Sequence, residues 1–173
     1  ATVADQKGII RQGREDIEDG SSLAWVAENT NHDQKQGTLK EAIAGADVFI
    51  GVSAGNLLTA EDVQTMAKDS IVFALANPTP EIDPAVARKY ATVVATGRSD
   101  HPNQINNVLA FPGIFRGLLD AQAHKITDKL LVAAAEAIAD CVSPSQLNTS
   151  FIVPSVFDPS VVVKVAAAVK ASV

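Results

Sequence analysis

Asp47-Val48-Phe49-Ile50-Gly51-Val52 is a continuous apolar run bounded by turn-forming residues. A run of this kind predicts a strand buried on both faces, as strands are in parallel sheets. Two further runs, residues 70–75 and 91–96, have the same character, and each leads into a polar or glycine-bearing loop. Because the carboxyl ends of parallel strands meet at one edge of a sheet, we expect these three loops to share one rim.

Helical segments separate the strands and carry signals for where each helix begins. Thr38 and Thr59 are each followed three residues later by an acid, which is the capping-box pattern. Asp83-Pro84 and Asp158-Pro159 place a capping acid before a proline at the first helical position. The alternation predicts an α/β fold, a Rossmann-like, doubly wound, mainly parallel sheet with flanking helices.

Two longer helices are expected in the second half of the chain. One spans residues 107–123, where Pro112 and Gly113 should kink it or divide its first turn from the rest. The other begins after Thr127 and continues to about Val142, with one side facing the core.

Composition excludes several classes of partner. The 173 residues are 47% hydrophobic and 20% charged, which is typical of a folded globular domain and not of a disordered chain. The formal net charge of −6 gives no basic field for nucleic acid or an anionic membrane surface, so neither is expected as a partner. The single cysteine, Cys141, excludes an intramolecular disulfide and suits a cytoplasmic location.

The first residues, Thr2-Val3-Ala4-Asp5, have the pattern of a strand end closed by an acid. In a dinucleotide-binding βαβ unit such an acid bonds the ribose hydroxyls, and a glycine-rich phosphate loop precedes it by about 20 residues. No G-x-G-x-x-G motif occurs in the chain. We therefore expect the chain to begin after the first strand and the phosphate-binding loop. The alternatives are a different fold, or an Asp5 that is only a solvated turn residue.

Four stretches read together resemble the nicotinamide-cofactor domain of bacterial malic enzymes. They are Asp5-Gln6-Lys7-Gly8-Ile9-Ile10 with Gly13-Arg14, Phe49-Ile50-Gly51-Val52-Ser53, Phe73-Ala74-Leu75-Ala76-Asn77-Pro78, and the long stretch from Ala95-Thr96-Gly97-Arg98-Ser99-Asp100 through Asn103-Gln104-Ile105-Asn106-Asn107 to Phe111-Pro112-Gly113-Ile114-Phe115-Arg116-Gly117. The similarity continues in order to the segment at residues 154–159, so it covers almost the whole chain.

This resemblance implies oxidative decarboxylation of L-malate to pyruvate and CO₂ with NAD or NADP. It also implies an Mg²⁺ or Mn²⁺ ion that is bound by residues outside this segment. The general base lysine and the general acid tyrosine lie outside it as well, so no catalytic or metal-binding residue is assigned here. The enzyme is expected to be a homo-oligomer, namely a dimer. Two alternatives stay open: a malolactic or oxaloacetate-decarboxylating relative, and a nucleotide-binding fragment without catalysis of its own.

By resemblance, the loop after the first strand run borders the adenosine half of the cofactor. Its small residues and backbone N–H groups should let a ribose or flat ring approach the chain closely. Gly51 and Gly55 could instead serve only a tight turn. The cofactor-binding residues predicted in this way are Asp5, Gly51, Val52, Ser53, Ala54, Asn77, Gly97 and Asn107.

Two of these residues, both asparagines, are also the predicted substrate ligands. By resemblance Asn77 contacts malate beside the nicotinamide, and Asn107 binds malate, whereas Asn106 is a candidate helix cap. Without the resemblance, Asn77 reads equally well as a turn asparagine before proline. Glu81 follows in the same loop and is given no role.

The preference between NAD and NADP depends on the charges near Asp5. The Asp5 carboxylate should repel a 2′-phosphate and favours NAD, although Lys7, Arg11 and Arg14 lie close enough in sequence to neutralise one.

The domain organisation we expect is residues 1–150 as the C-terminal part of the NAD(P)-binding domain and residues 151–173 as a helical extension that packs back on the enzyme.

The remaining polar and aromatic candidates are expected to be structural. Arg98 and Arg116 should pair with nearby acids such as Asp100 and Asp120. Cys141 is predicted to be buried and inert, and Trp25 to be a packing residue in an amphipathic segment that starts near residue 21. His32, His101 and His124 lack metal-ligand spacing and are expected to have surface or capping roles.

Overall fold

A computed structural model describes all 173 residues. In chain order the strands are β1 (Ala4–Asp5), β2 (Gly8–Ile9), β3 (Val48–Gly51), β4 (Ile71–Ala74) and β5 (Val93–Thr96), and the helices are α1 (Ser22–Asn29), α2 (Leu39–Ile43), α3 (Ala60–Gln64), α4 (Pro84–Ala87), α5 (Phe111–Asp120), α6 (Asp128–Ala139) and α7 (Pro159–Ser172), with a 3₁₀ turn at Asn107–Leu109 before α5. None of the helices has the length and apolarity that a bilayer crossing requires.

The centre of the fold is a parallel sheet in the order β3-β4-β5. All three predicted strands are confirmed, each shorter by two residues than the run that predicted it. The last residues of the strands are in register, since Gly51 pairs with Ala74 and Ala74 pairs with Thr96. The α/β, Rossmann-like class predicted from the sequence is confirmed.

Short helices cross between the strands, and side chains at their first residues cap them. Thr38 and Thr59 each form the predicted capping box, with Glu41 and Asp62 as the returning acids. Asp83 accepts a hydrogen bond from the Ala85 N–H, as its place before Pro84 predicts. These elements enclose one apolar cluster, which we call the strand core: Ile43, Phe49, Leu58, Val63, Met66, Val72, Ala74, Ile82, Ala87, Ala91 and Val94.

The expectation that the first strand run is buried on both faces is wrong. Phe49 and Gly51 are buried, but Val48 is 48% exposed and Ile50 is 61% exposed on the opposite face. β3 is also an edge strand of the parallel sheet. An apolar face and an unpaired strand edge therefore remain uncovered by these 173 residues.

The first ten residues form a hairpin, not a strand of the parallel sheet. β1 pairs antiparallel with β2, with Ala4 opposite Ile9 and Asp5 opposite Gly8. The sequence expectation of a strand that ends at Asp5 is confirmed, and its partner within this chain is the antiparallel β2. Its place in a βαβ unit stays a prediction. Trp25 in α1 is not a packing residue, since 61% of it is exposed.

The second half of the chain has a separate apolar cluster. Helix α7 packs against both α5 and α6. Gly113 and Gly117 permit the close contact, because a Cβ atom at either position would lie 2.6 Å from an atom of α7. This cluster, the helix core, consists of Leu109, Ile114, Leu130, Ala134, Val161, Val165 and Val169.

The predicted break in the 107–123 helix is confirmed, because the 3₁₀ turn at Asn107–Leu109 is separated from α5, which has Pro112 in its first turn. Cys141 is half-buried against the helix core and its Sγ donates to the Ala137 carbonyl at 3.2 Å. Burial raises the pKa of its thiol.

The division of the chain into domains at residue 150 stays a prediction. The two separate cores give a second candidate boundary just before Asn107.

Asn103 links the parallel sheet to the segment that precedes α7. Its side chain is buried, and it donates to the Val94 carbonyl at 3.1 Å and to the Thr149 carbonyl at 2.9 Å. Its Oδ1 accepts from the Ile152 N–H at 3.0 Å. The residue has a φ of 58°, a left-handed conformation that asparagine tolerates better than most residues.

We predict that Asn103→Ala lowers the free energy of unfolding by about 2–4 kcal/mol, since three hydrogen bonds are lost and alanine is strained at this φ. Urea denaturation measures the change. Asn103→Gly is the matched variant, because it loses the same hydrogen bonds without the strain and should be less destabilised than Asn103→Ala. Unfolding free energies that stay within about 0.5 kcal/mol of wild type would contradict this role of Asn103.

Candidate functional site

The three loops that follow β3, β4 and β5 lie at one rim of the sheet, as predicted. The register that pairs Gly51, Ala74 and Thr96 sets the loops side by side. Ligands in open α/β sheets bind outside the carboxyl ends of the strands. This rim is therefore the candidate functional site.

A fourth segment extends the rim beyond β5. Gln104 forms a parallel bridge with Thr96, and the Ile105 N–H donates to the Thr96 carbonyl at 2.8 Å. The chain therefore runs from Gln104 in the same direction as β5 and reaches Asn106 and Asn107 past the end of the strands. Asn107 is thus placed with the other loops by strand pairing and not by chance proximity.

The loop after β3 presents Val52, Ser53 and Ala54 to solvent, with Val52 77% exposed. Gly51 is buried, and the space a Cβ atom would fill is taken by another side chain of the protein, the Glu81 carboxyl group at 2.4 Å. At Gly55 the corresponding space is taken by Thr79 at 2.7 Å. These glycines therefore admit the neighbouring loop, and close approach of a ligand to the backbone at Gly51 stays a prediction.

Glu81 is the residue that sequence reasoning missed. It is fully buried, and its Oε1 accepts from the Ser53 N–H at 3.0 Å, while its Oε2 accepts from the Ala76 N–H at 3.1 Å. The available signal was its position between Pro80 and Ile82, which are both buried. An acid between apolar neighbours in a loop is a candidate for burial, and buried carboxyl groups need hydrogen-bond partners.

Asn77 and Gly97 are brought together at the centre of the rim. A Cβ atom on Gly97 would lie 3.3 Å from Nδ2 and 3.4 Å from Oδ1 of Asn77, so glycine leaves just enough room for the amide. Asn77 is exposed, and Gly97 is half-buried beneath it. The amide has no hydrogen-bond partner in the chain, which leaves both a donor and an acceptor for a ligand.

Asn106 caps the 3₁₀ turn, as the sequence predicts. Oδ1 of Asn106 accepts from the Val108 N–H at 3.0 Å and caps the 3₁₀ turn. Asn107 is exposed, and its amide is not used in that cap. Its assignment as a ligand-binding residue stays a prediction.

Asp5 does not have the surroundings expected of it. Its carboxylate accepts from the Lys7 N–H at 2.8 Å and from both terminal nitrogens of Arg14. Arg14 also binds Asp16, which in turn pairs with Lys7 Nζ at 3.1 Å. Hydrogen bonds from Arg14 hold the pKa of Asp5 below its ordinary value. Asp5 is therefore a member of an ion-pair network in the β1–β2 hairpin region, and a ribose contact there stays a prediction.

Arg98 and Arg116 have structural partners, as predicted. Arg98 pairs with Asp100, and Arg116 pairs with Asp120 one helical turn away. The Arg98 guanidinium lowers the pKa of Asp100 to about 2. Nη1 of Arg88 lies 3.3 Å from Nδ1 of His101. No three His, Cys, Asp or Glu side chains lie together in a way that could hold a metal ion.

Comparison with known proteins identifies the family. The model of the malic enzyme NAD-binding domain matches residues 2–173. The chain belongs to the malic enzyme family. The resemblance noted in the sequence is thereby confirmed.

Malic enzymes with either cofactor are among the relatives. The NAD-dependent malic enzyme of Geobacillus stearothermophilus is 53% identical over 172 residues, which are 98% of this chain and 36% of that protein. The bifunctional malic/malolactic enzyme of Bacillus subtilis is 53% identical over 169 residues, 96% of this chain and 41% of that protein. The NADP-dependent malic enzyme of Salmonella typhimurium is 40% identical over 183 residues, 96% of this chain and 24% of that protein.

Solved malic enzyme structures share the fold. The NAD-dependent malic enzyme of Thermotoga maritima superposes with a TM-score of 0.92 at 44% identity, over 99% of this chain and 45% of that one. The Entamoeba histolytica malic enzyme gives 0.89 at 38% identity, over 98% of this chain and 36% of that one. The chain thus spans less than half the length of these malic enzymes.

We predict that Arg14→Gln raises the pKa of the Asp5 carboxyl group toward its ordinary value. In the wild type the folded-state pKa is depressed, so the stabilisation from this pair is present above the ordinary aspartate pKa and is lost as the pH falls through the folded-state pKa. The ¹³C chemical shift of the Asp5 carboxyl carbon, followed against pH, measures the midpoint.

Arg11→Gln is the control for this titration, because Arg11 donates to the Gln12 carbonyl and not to Asp5. Its Asp5 midpoint should equal that of the wild type. Equal Asp5 midpoints in the wild type and Arg14→Gln would show that Arg14 does not set the charge state of Asp5.

Proposed function

We propose that these 173 residues form one wall of the cofactor and malate site of a longer malic enzyme. The reaction converts L-malate and NAD⁺ to pyruvate, CO₂ and NADH. The observation that carries the proposal is the shared rim, where the loop after β3, the Asn77–Gly97 contact and Asn107 follow neighbouring parallel segments. Family membership supports the same conclusion.

The residues at the rim suit a dinucleotide beside a small dicarboxylate. Val52, Ser53 and Ala54 offer an exposed loop of small side chains for the adenosine half. The amide of Asn77, unpaired within the chain, would orient the nicotinamide and donate to a malate carboxylate, and Asn107 would donate to malate from the far side of Gly97. The nicotinamide, when bound, supplies the chemistry of accepting a hydride from C2 of malate.

Metal and acid–base chemistry belong, in this proposal, to parts of the enzyme outside this chain. The 173 residues bring together no set of three metal-ligating side chains, and their histidines lack the spacing of a metal site. The Mg²⁺ or Mn²⁺ ion, the general base lysine and the general acid tyrosine are therefore not assigned to residues here. The contribution of this chain is binding and orientation.

We infer a preference for NAD over NADP. A 2′-phosphate would need free cations near Asp5, but Arg14 is already held by Asp5 and Asp16, and Lys7 is paired with Asp16. Of the three cations close in sequence, only Arg11 has no acidic partner, since it donates to the Gln12 carbonyl. The carboxylate of Asp5 would itself repel a phosphate. The ion-pair network therefore favours the unphosphorylated ribose.

Exposed apolar surfaces support a longer, oligomeric protein. Val48 and Ile50 leave one face of the sheet uncovered, and Phe111, Phe115 and Leu119 form an exposed apolar stripe along α5. Surfaces of this kind are normally covered by other parts of the protein or by a partner subunit. The proposal includes a homodimer in the cytoplasm, where a single free cysteine is chemically suited.

We predict that Asn77→Ala or Asn107→Ala in the full-length enzyme lowers kcat/KM for malate at least tenfold, about 1.4 kcal/mol of transition-state stabilisation. Each variant removes an amide that the rim presents to the ligand. Steady-state kinetics with malate varied at saturating NAD measure the effect.

Asn29→Ala is the control for the same chemical change, because Asn29 is exposed in α1, where its amide donates to the Trp25 carbonyl. It should leave kcat/KM unchanged. If both rim variants retain wild-type kinetics, the assignment of Asn77 and Asn107 is wrong.

A second candidate function is conversion of malate to lactate, because the bifunctional malic/malolactic enzyme is as similar to this chain as the NAD-dependent malic enzyme. The products separate the two. We expect pyruvate, CO₂ and NADH in equal amounts when the full-length enzyme is incubated with L-malate and NAD. Lactate without accumulated NADH would favour the malolactic reaction instead.

A further inference from the structure

Glu81 joins two loops at the rim with one buried carboxyl group. It has no exposed surface, and its two oxygens accept hydrogen bonds from different loops: Oε1 from the Ser53 N–H and Oε2 from the Ala76 N–H. Ser53 follows β3 and Ala76 follows β4. Each oxygen therefore fixes the backbone of one loop relative to the other.

Backbone hydrogen bonds continue this connection away from the rim. The Asn56 N–H donates to the Pro80 carbonyl and the Leu58 N–H donates to the Glu81 carbonyl, each at 2.9 Å. Those two bonds hold the base of the loops together. At the ends of the strands the Leu75 N–H donates to the Gly51 carbonyl at 3.0 Å, and the Glu81 side chain adds two further bonds there, where ligands bind in this class of sheet.

Gly51 makes room for the carboxyl group. A Cβ atom at this position would lie 2.4 Å from Cδ and 2.5 Å from Oε1 of Glu81, too close for both to occupy the site. Gly51 is also the last residue of β3 and pairs with Ala74 of β4. The end of the strand and the carboxyl group are therefore fitted to each other.

The same carboxyl group controls where Asn77 lies. Ala76 directly precedes Asn77, so the hydrogen bond to the Ala76 N–H fixes the backbone from which the Asn77 amide projects over Gly97. On its other side, the carboxyl group fixes Ser53 in the loop that presents Val52 and Ala54. One side chain thus bonds to both parts of the rim assigned to cofactor and substrate.

We propose that Glu81 is a positioning residue for the cofactor and malate site, acting through Ser53 and Ala76 and touching neither ligand. This inference rests on the proposed function. A carboxyl group suits the role because two backbone N–H donors need two acceptors, whereas a glutamine amide has one acceptor oxygen and an NH₂ group that would face the other donor. Pre-set loop positions matter because small displacements of positioning groups lower reaction rates strongly.

The test compares Glu81→Gln with Leu130→Ala in the full-length enzyme. Leu130 is buried in the helix core, away from the rim, so its truncation destabilises the protein without touching the loops. Both variants should lower Tm. Only Glu81→Gln should raise KM for NAD at least fivefold, lower kcat/KM for malate at least tenfold and speed hydrogen exchange at the Ser53 or Ala76 amide at least tenfold.

The outcomes separate this inference from the proposed function. Glu81→Gln with a lowered Tm but with KM values within twofold of wild type, as in Leu130→Ala, would show that Glu81 is only a stabilising residue. Wild-type enzyme that neither binds NAD nor converts malate would overturn the proposed function itself, and the positioning role with it. If Glu81→Gln does not fold, Glu81→Asp replaces it, since aspartate keeps both acceptors but is too short to reach both donors, and the same outcomes apply.

Discussion

Parallel pairing of β3, β4 and β5 places Gly51, Ala74 and Thr96 in one row. The loops that follow these three residues therefore begin side by side. The bridge between Thr96 and Gln104 extends the row by one more segment. The segments that follow Gly51, Ala74, Thr96 and Gln104 therefore leave the sheet on the same side. A one-residue slip in any pair would turn the alternating side chains to the other face and would separate the residues of the rim.

Register alone does not hold loops in place, and the structure adds two buried polar side chains that do. Glu81 connects the loops after β3 and β4, and Asn103 connects β5 to the segment before α7. Both side chains are buried and use their hydrogen-bonding groups on backbone N–H or carbonyl groups of other segments. The strand core and the helix core are separate apolar clusters, so a polar link such as Asn103 helps to fix how they are joined.

Local features of the fold were predictable, whereas contacts between distant residues were not. The three central strands followed from apolar runs, and the caps at Thr38, Thr59 and Asn106 followed from short-range hydrogen-bonding patterns. Glu81 was missed because its partners, Gly51 and Ser53, lie about thirty residues away, and an acid in a loop normally reads as solvated. The exposure of Val48 and Ile50 was missed because an apolar run does not tell whether both faces of the strand are covered.

The site residues depend on one claim, that the rim built by these strands faces the cofactor. A crystal structure of the full-length enzyme with NAD bound tests it most directly. We expect the dinucleotide to lie along the rim, with its adenosine half against Val52–Ala54 and its nicotinamide beside Asn77 over Gly97, and with both Glu81 hydrogen bonds kept. A dinucleotide bound elsewhere, with the Asn77–Gly97 contact empty, would contradict the account.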